Sequence, residues 1–191
     1  QETAFEDELF LHGTGDFTRM YELMKIDNTH HIPSKKSSLQ TYFSKLSRAA
    51  SIILVHNTFT KQKDIDFIKL TTNYKLLTSF CICANANQYI ENTMPHIQLL
   101  TENDCNIVLG TDSLASNHSL NLLDEMKTIQ KNFPEIFLTK MLQWATLNGA
   151  KALQMENALG SFEKEKTPGV VLIENIEEVK LKKESSIKKI L

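Results

Sequence analysis

Apolar residues in this chain come in short runs separated by stretches of helical spacing. Ser51-Ile-Ile-Leu-Val-His56 and Asn106-Ile-Val-Leu-Gly-Thr111 are aliphatic, rich in β-branched residues, and stop at a polar residue or a glycine. Lys75 to Cys83 is nearly continuous in apolar character. Runs of this length and type predict buried strands, and apolarity on both faces predicts a parallel sheet. Helical spacing fills the gaps. Leu39, Tyr42, Phe43 and Leu46 form one stripe within Ser38 to Ala49. Ile65, Ile68 and Lys69 fall in step within Thr60 to Thr72, and Leu120 to Asn132 reads as a helix stopped by Pro134. Helices are also expected over Ala4–Leu11, Phe17–Met24 and Ile97–Asn103, with two helical stretches over Phe137–Met155. His12-Gly-Thr-Gly15 reads as a turn, Asp27–Ser37 as a polar loop and Asn85–Pro95 as a long loop. Gly160-Ser-Phe-Glu163 and Gly169–Ile173 read as tail strands. The basic Lys180–Lys189 reads as a solvated edge strand or a frayed tail.

Strands alternating with helices at this spacing predict parallel βαβ units. The strands lie near residues 51, 76 and 106, and a fourth is expected to end just before Gln1. With 191 residues, 41% hydrophobic and 23% charged, the chain has the composition of a globular protein with a sizeable core. A net charge of −2 offers no electrostatic case for nucleic acid. No apolar run reaches the ~18 residues of a membrane span. The opening Gln1-Glu2-Thr3 is polar and acidic, unlike a secretory signal. Cys81, Cys83 and Cys105 are odd in number and sit in or beside apolar strands. They read as reduced packing residues of a cytoplasmic protein. Cys81 and Cys83 share one strand face, but the spacing differs from a Cys-x-x-Cys zinc knuckle.

The strand ends carry the candidate chemistry. Asp112 follows the run Ile107–Leu109 after one glycine and one threonine, and His56 closes the run that begins at Ser51. In a (β/α)8 barrel, a reactive residue at the C-terminal end of a strand faces the active site. A lone carboxylate there often caps a turn, and a lone histidine is more often structural. Histidine and aspartate on two strand ends of one sheet are a stronger signal than either alone. His30 and His31 are adjacent in a polar loop and read as surface. His96 follows a proline and reads as a helix cap, His118 as a residue near the pocket mouth, and His12 has no assignment. Asn85, Asn87, Ser113 and Ser116 read as braces of the loops rather than substrate contacts.

Four stretches together carry a resemblance: Val55-His-Asn-Thr58, Cys83-Ala-Asn-Ala-Asn87, Leu109-Gly-Thr-Asp-Ser-Leu-Ala-Ser-Asn117 and Ala145-Thr-Leu-Asn-Gly-Ala-Lys-Ala-Leu153. The chain resembles the amidohydrolase superfamily in its chlorohydrolase/aminohydrolase branch, which includes guanine deaminase and adenosylhomocysteine/methylthioadenosine deaminase. Asn87-Gln-Tyr-Ile-Glu-Asn92 is worded most like amidohydrolases of the Bacteroidetes. The likeness runs from Gln1 to about Ile173, and the Gly-Thr-Asp-Ser element with Ala-Thr-Leu-Asn-Gly-Ala downstream is its specific part.

The resemblance implies an α/β fold, the C-terminal half of a (β/α)8 metal-dependent hydrolase barrel over 1–157. Residues 158–191 would be tail strands of a small accessory β-sandwich. A whole barrel takes about 250 residues, so the chain is read as a C-terminal portion of a longer protein. Lys166-Thr-Pro-Gly169 departs from the Gly-Lys and Ala-Asp pairs usual before the last apolar strand. His56 matches the sixth-strand histidine and Asp112 the eighth-strand aspartate. Gln1-Glu2-Thr3 matches the end of the fifth-strand His-x-x-Glu element, with Glu2 as its proton-shuttling glutamate. The implied cofactor is one divalent metal, zinc by preference, with Asp112 as ligand and as acceptor of a water proton. His56 is implied in stabilising developing charge, and Glu2 in protonating a ring nitrogen and then the leaving amine. The implied function is deamination of an amino-substituted heterocycle such as a purine derivative, a small-molecule substrate with no nucleic acid or membrane partner. The alternatives are an amide or ring-opening hydrolase, or an inactive half-barrel whose open sheet edge invites homo-oligomers.

Overall fold

A computed structural model describes residues 1–46, 49–71 and 77–191. Three parallel strands form the central sheet: β1 (Ser51–Val55), β2 (Leu77–Ile82) and β3 (Asn106–Leu109), in the order β1-β2-β3. That is the expected sheet in the expected order. The expected residues 75 and 76 of the second strand and Thr72 of the helix before it lie outside the described residues.

The register sorts the strand residues onto two faces. Leu54 pairs with Phe80 and Phe80 with Ile107. Ile52, Phe80, Ile82 and Ile107 are buried in one core with Phe43, Ile65, Ile129, Met141 and Trp144 from the helices. The other face carries Ile53, Ser79 and Asn106 in one row and Val55, Cys81 and Val108 in the next. Asn106 Nδ2 donates to Ser79 Oγ at 2.8 Å within the lower row. On this face Ile53 and Val55 are 39% and 44% exposed. One face of the sheet is therefore packed under helices, and the other is open at β1.

The helices before β2 are α1 (Ala4–His12), α2 (Asp16–Leu23), α3 (Ser38–Phe43) and α4 (Gln62–Thr71). Thr3 caps α1 by accepting from Phe5 N–H, and Gly13 ends it at φ 71. Between β2 and β3 lie α5 (Ala84–Glu91) and α6 (Ile97–Glu102). The expected loop from Asn85 is thus a helix for most of its length. Two asparagines in four residues argue against helix by propensity, but tertiary bonds to both, described below, outweigh that bias. Asn92, at φ 49, ends α5.

After β3 come α7 (Leu122–Asn132), α8 (Leu138–Gln143) and α9 (Gly149–Ala152), with a π-helical turn over Trp144–Asn148 between the last two. Gly160–Glu163 is not a strand. Its first residue is a tight turn at φ 86, where a side chain would meet Ala150 Cβ at 2.7 Å. The tail strands are β4 (Val171–Glu177) and β5 (Lys180–Lys189), an antiparallel hairpin with an irregularity between Glu174 and Ile176. Gln130 of α7 fixes the hairpin through its amide, donating to Leu181 O at 2.8 Å and accepting from Leu181 N–H at 2.9 Å. Lys127 Nζ donates to Lys183 O and Ser185 O at 3.0 and 2.7 Å, and Leu181 is buried in the main core.

Candidate active site

The C-terminal ends of β1 and β3 carry the two expected side chains, and the N-terminal segment brings the third. His56 N–H donates to Cys81 O at 3.0 Å, continuing the β1–β2 ladder by one residue. The chain then turns sharply: His56 and Asn57 have φ of 71 and 59. Left-handed backbone costs a non-glycine residue about 1–2 kcal/mol, so local contacts must hold it. Asn57 Nδ2 supplies two, donating to Leu54 O at 2.8 Å and Cys81 O at 3.1 Å. Asn87 of α5 supplies a third, donating to His56 O at 3.3 Å and bonding Thr58 Oγ1. Asp112 also has positive φ, at 58, and Ser116 Oγ donates to its Oδ2.

These turns aim the side chains at one point. His56 Nε2 lies 3.5 Å from Glu2 Oε1 and 4.0 Å from Asp112 Oδ2. One donor atom from each of Glu2, His56 and Asp112 falls within 4.8 Å of the others, a grouping that can hold a metal ion. The His56 side chain is 13% exposed, while those of Glu2 and Asp112 are 36% and 31% exposed, so the site opens to solvent. An imidazole nitrogen and two carboxylate oxygens are the donors that suit a small divalent cation. The donor set and its spacing fit a metal.

The remaining histidines stand apart from this group. His12, His30, His96 and His118 are exposed. His31 Nε2 lies 3.3 Å from Leu9 O, and its ring meets Phe10 edge-on. His96 precedes α6 as expected, without a side-chain capping bond. Asn87 and Ser116 brace the loops of the site, as their positions suggested. Asn85 ties α5 to α7 by accepting from Thr128 Oγ1 at 2.5 Å, and Ser113 O accepts from Ser116 N–H at 3.2 Å.

Below the site, Cys81 and Cys83 share a thiol hydrogen bond. Donation from Cys83 holds the Cys81 thiol below the usual cysteine value, and the same bond together with burial pushes Cys83 up. Gly110 makes room for both sulfurs: a side chain there would meet Cys81 Sγ at 2.7 Å. The residues to which the sequence assigned no role are Asn57 and Asn117, which lie within the family-like stretches, and Glu125, which lies outside them. Glu125 is fully buried, and burial raises its carboxyl above the usual range against the lowering effect of its hydrogen bonds. Its signal in the sequence is its place in the apolar stripe of α7 with Leu122, Met126 and Ile129.

The model of the amidohydrolase family matches residues 11–189. The chain belongs to the amidohydrolase family. This amidohydrolase is 26% identical over 132 residues to a 5-methylthioadenosine/S-adenosylhomocysteine deaminase of Clostridium tetani, covering 65% of this chain and 30% of that protein. Its fold matches the aminofutalosine deaminase of Helicobacter pylori with a TM-score of 0.72 at 23% identity, over 88% of this chain and 41% of the other. It also matches a zinc-bound adenosine deaminase from Xanthomonas campestris, with a TM-score of 0.56 at 23% identity, over 86% of this chain and 34% of that one. The sheet, the flanking helices and the likeness to these barrels are those of part of an α/β barrel. The amidohydrolase chain thus spans about a third of the length of such relatives. Among the described residues, no helix is long and apolar enough to cross a membrane.

Proposed function

We propose that this chain is the C-terminal portion of a metal-dependent amidohydrolase that hydrolyses the exocyclic C–N bond of an amino-substituted purine derivative, releasing ammonia. The observation that carries the reading is the convergence of Glu2, His56 and Asp112 at the C-terminal end of a parallel sheet. Barrels of this class place their reacting groups there. The deaminase relatives support the reaction class. We assign residues 1–157 to the catalytic barrel and 158–191 to the accessory sandwich.

Asp112 would hold a divalent metal, zinc by analogy with the Xanthomonas deaminase, and the chemistry such an ion supplies is a water whose pKa falls towards ~7. Asp112 takes the proton from the attacking water as its oxygen adds to the ring carbon. Glu2 gives its proton to the adjacent ring nitrogen, takes one back from the hydroxyl formed at the ring carbon and passes it to the amine, which leaves as ammonia. The proton held by Asp112 then returns to Glu2, restoring both carboxyls. His56 Nε2 faces both carboxylates and stabilises charge that develops between them. The substrate is a small molecule, and the three free cysteines suit a reducing cytoplasm.

The test is ammonia release by the complete, zinc-replete gene product from 5′-methylthioadenosine, S-adenosylhomocysteine, 5′-deoxyadenosine and guanine. Turnover of one of these, lost on Asp112→Asn, is the expected result. Hydrolysis of amide or ring-opening substrates alone would replace deamination with the other hydrolytic reading. No hydrolysis of either class would reject the enzyme reading.

A further inference from the structure

Glu125 is fully buried on α7, lies outside the reacting group, and is bonded on both oxygens. Its Oε2 accepts the backbone N–H of Asn85 at 3.0 Å. That amide belongs to the first turn of α5, whose N-cap, Cys83, makes no side-chain capping bond. A carboxylate from another helix thus satisfies a donor that α5 leaves open, at the end where negative charge is favoured. Its Oε1 accepts from Asn117 Nδ2 at 2.6 Å. Asn117 Nδ2 also donates to Thr111 O at 2.6 Å, and Asn117 Oδ1 accepts from Ser119 N–H at 3.3 Å. Thr111 is the residue before Asp112.

A line of bonds therefore runs from α5 through Glu125 and Asn117 to the backbone that turns Asp112 into left-handed conformation. The same α5 holds the other strand end, because Asn87 donates to His56 O. Neither end is held by its own strand alone. Burying a carboxylate is costly, and capping α5 needs only one of its oxygens. The second oxygen is what ties the Asp112 loop to the helix that braces His56.

We propose that Glu125 is a positioning residue of the active site, setting the Asp112 loop through Asn117 relative to His56. The proposal deepens the deaminase reading and rests on it for its kinetic consequence, but not for its structural one. A misplacement of about 1 Å at a reacting group costs on the order of 100-fold in rate.

The test uses the complete gene product, with two readouts on two variants. Glu125→Gln keeps the size but sets an amide N–H against the donor of either Asn85 or Asn117, so one of the two links between α5 and the Asp112 loop is lost. We expect kcat to fall about 100-fold, with KM changed by less than about threefold. Amide exchange over 111–117 should speed up about tenfold, while β2 stays protected. The double variant Glu125→Gln with Asn117→Asp restores a bond between the two side chains and keeps the helices joined. The carboxylate at 117 then cannot donate to Thr111 O. Fast exchange over 111–117 and low kcat should persist in it. Return of both to wild-type levels in the double variant would overturn the proposal, since helix tethering alone would then suffice. Unchanged exchange and kcat in Glu125→Gln would overturn it as well. Failure of the single variant to fold leaves the double variant as the deciding protein. If the wild type deaminates nothing while exchange follows the expected pattern, the deaminase reading fails and the positioning role stands.

Discussion

At the residue scale, the site is three side chains whose proposed roles differ, so their substitutions should differ in kind. Asp112→Asn keeps the volume but cannot accept a water proton and is a poorer ligand. In the complete protein it is expected to abolish turnover and lower zinc content while the circular dichroism is unchanged. His56→Ala is expected to retain most of the metal and lose turnover by about 2.7–4 kcal/mol of barrier, the usual cost of removing one preorganised electrostatic group. Paired metal analysis and rate measurement check both. Near-full turnover in His56→Ala would leave that histidine with a structural role only. The thiols beneath the site give a second test. Cys81 is held below the usual cysteine value by donation from Cys83, whereas burial pushes Cys105 up to about 11. The thiolate is the nucleophile, so a lowered value means more reactive species at a given pH. As pH rises from neutrality, iodoacetamide should label Cys81 first, Cys105 later and the buried Cys83 last, as read by peptide mass. Cys105 labelled ahead of Cys81 would contradict the shared thiol bond.

At the element scale, α5 does more than connect two strands. Asn87 is buried, and its amide nitrogen holds both His56 O and Thr58 Oγ1. Asn87→Ala leaves the buried Thr58 Oγ1 and the partly buried His56 O without that donor, and a destabilisation of about 2 kcal/mol is expected from the usual cost of such losses. Urea unfolding measures it, and a change under about 0.5 kcal/mol would mean that water replaces the amide without penalty. This helix was also the least legible part of the sequence. Ala84-Asn-Ala-Asn-Gln-Tyr has neither an apolar stripe nor a capping residue, and the bonds that hold it come from α7, forty residues away in sequence, and from the turn that follows β1. The strand ends were legible for the opposite reason. An unbroken apolar run that stops at His56, or at Gly110 before Asp112, marks the edge of the buried layer by itself. Glu125 has a signal, a carboxylate within an apolar stripe, but its partners belong to other elements and appear only in three dimensions. The hairpin was half legible. Val171–Ile173 is apolar, whereas Lys180–Lys189 is a strand whose exposed lysines look like a tail until Gln130 and Lys127 are seen to pin it.

At the scale of the whole molecule, the sheet has one face packed under helices and one that is open at β1. Helices bury Ile52, Phe80, Ile82 and Ile107 on the first. On the second, Ile53 and Val55 stand 39% and 44% exposed, and β1 pairs only with β2 among the described strands. Exposed aliphatic residues beside an unpaired parallel strand form a template for further strands, from the same polypeptide or from another copy. The 191 residues expressed alone are therefore expected to self-associate, seen as species heavier than the monomer by sedimentation velocity at micromolar concentration. Val55→Lys puts a charge on the open face without touching the helix side of the sheet, and it should shift the population towards monomer. In the complete gene product the same face would lie inside a closed barrel. There, Val55→Lys buries an unpaired charge and should lower stability by several kcal/mol, as an uncompensated buried ion does. One substitution thus acts in opposite directions in the two contexts. A monomeric fragment, or a complete protein indifferent to the lysine, would mean that this face is not the interior of a barrel.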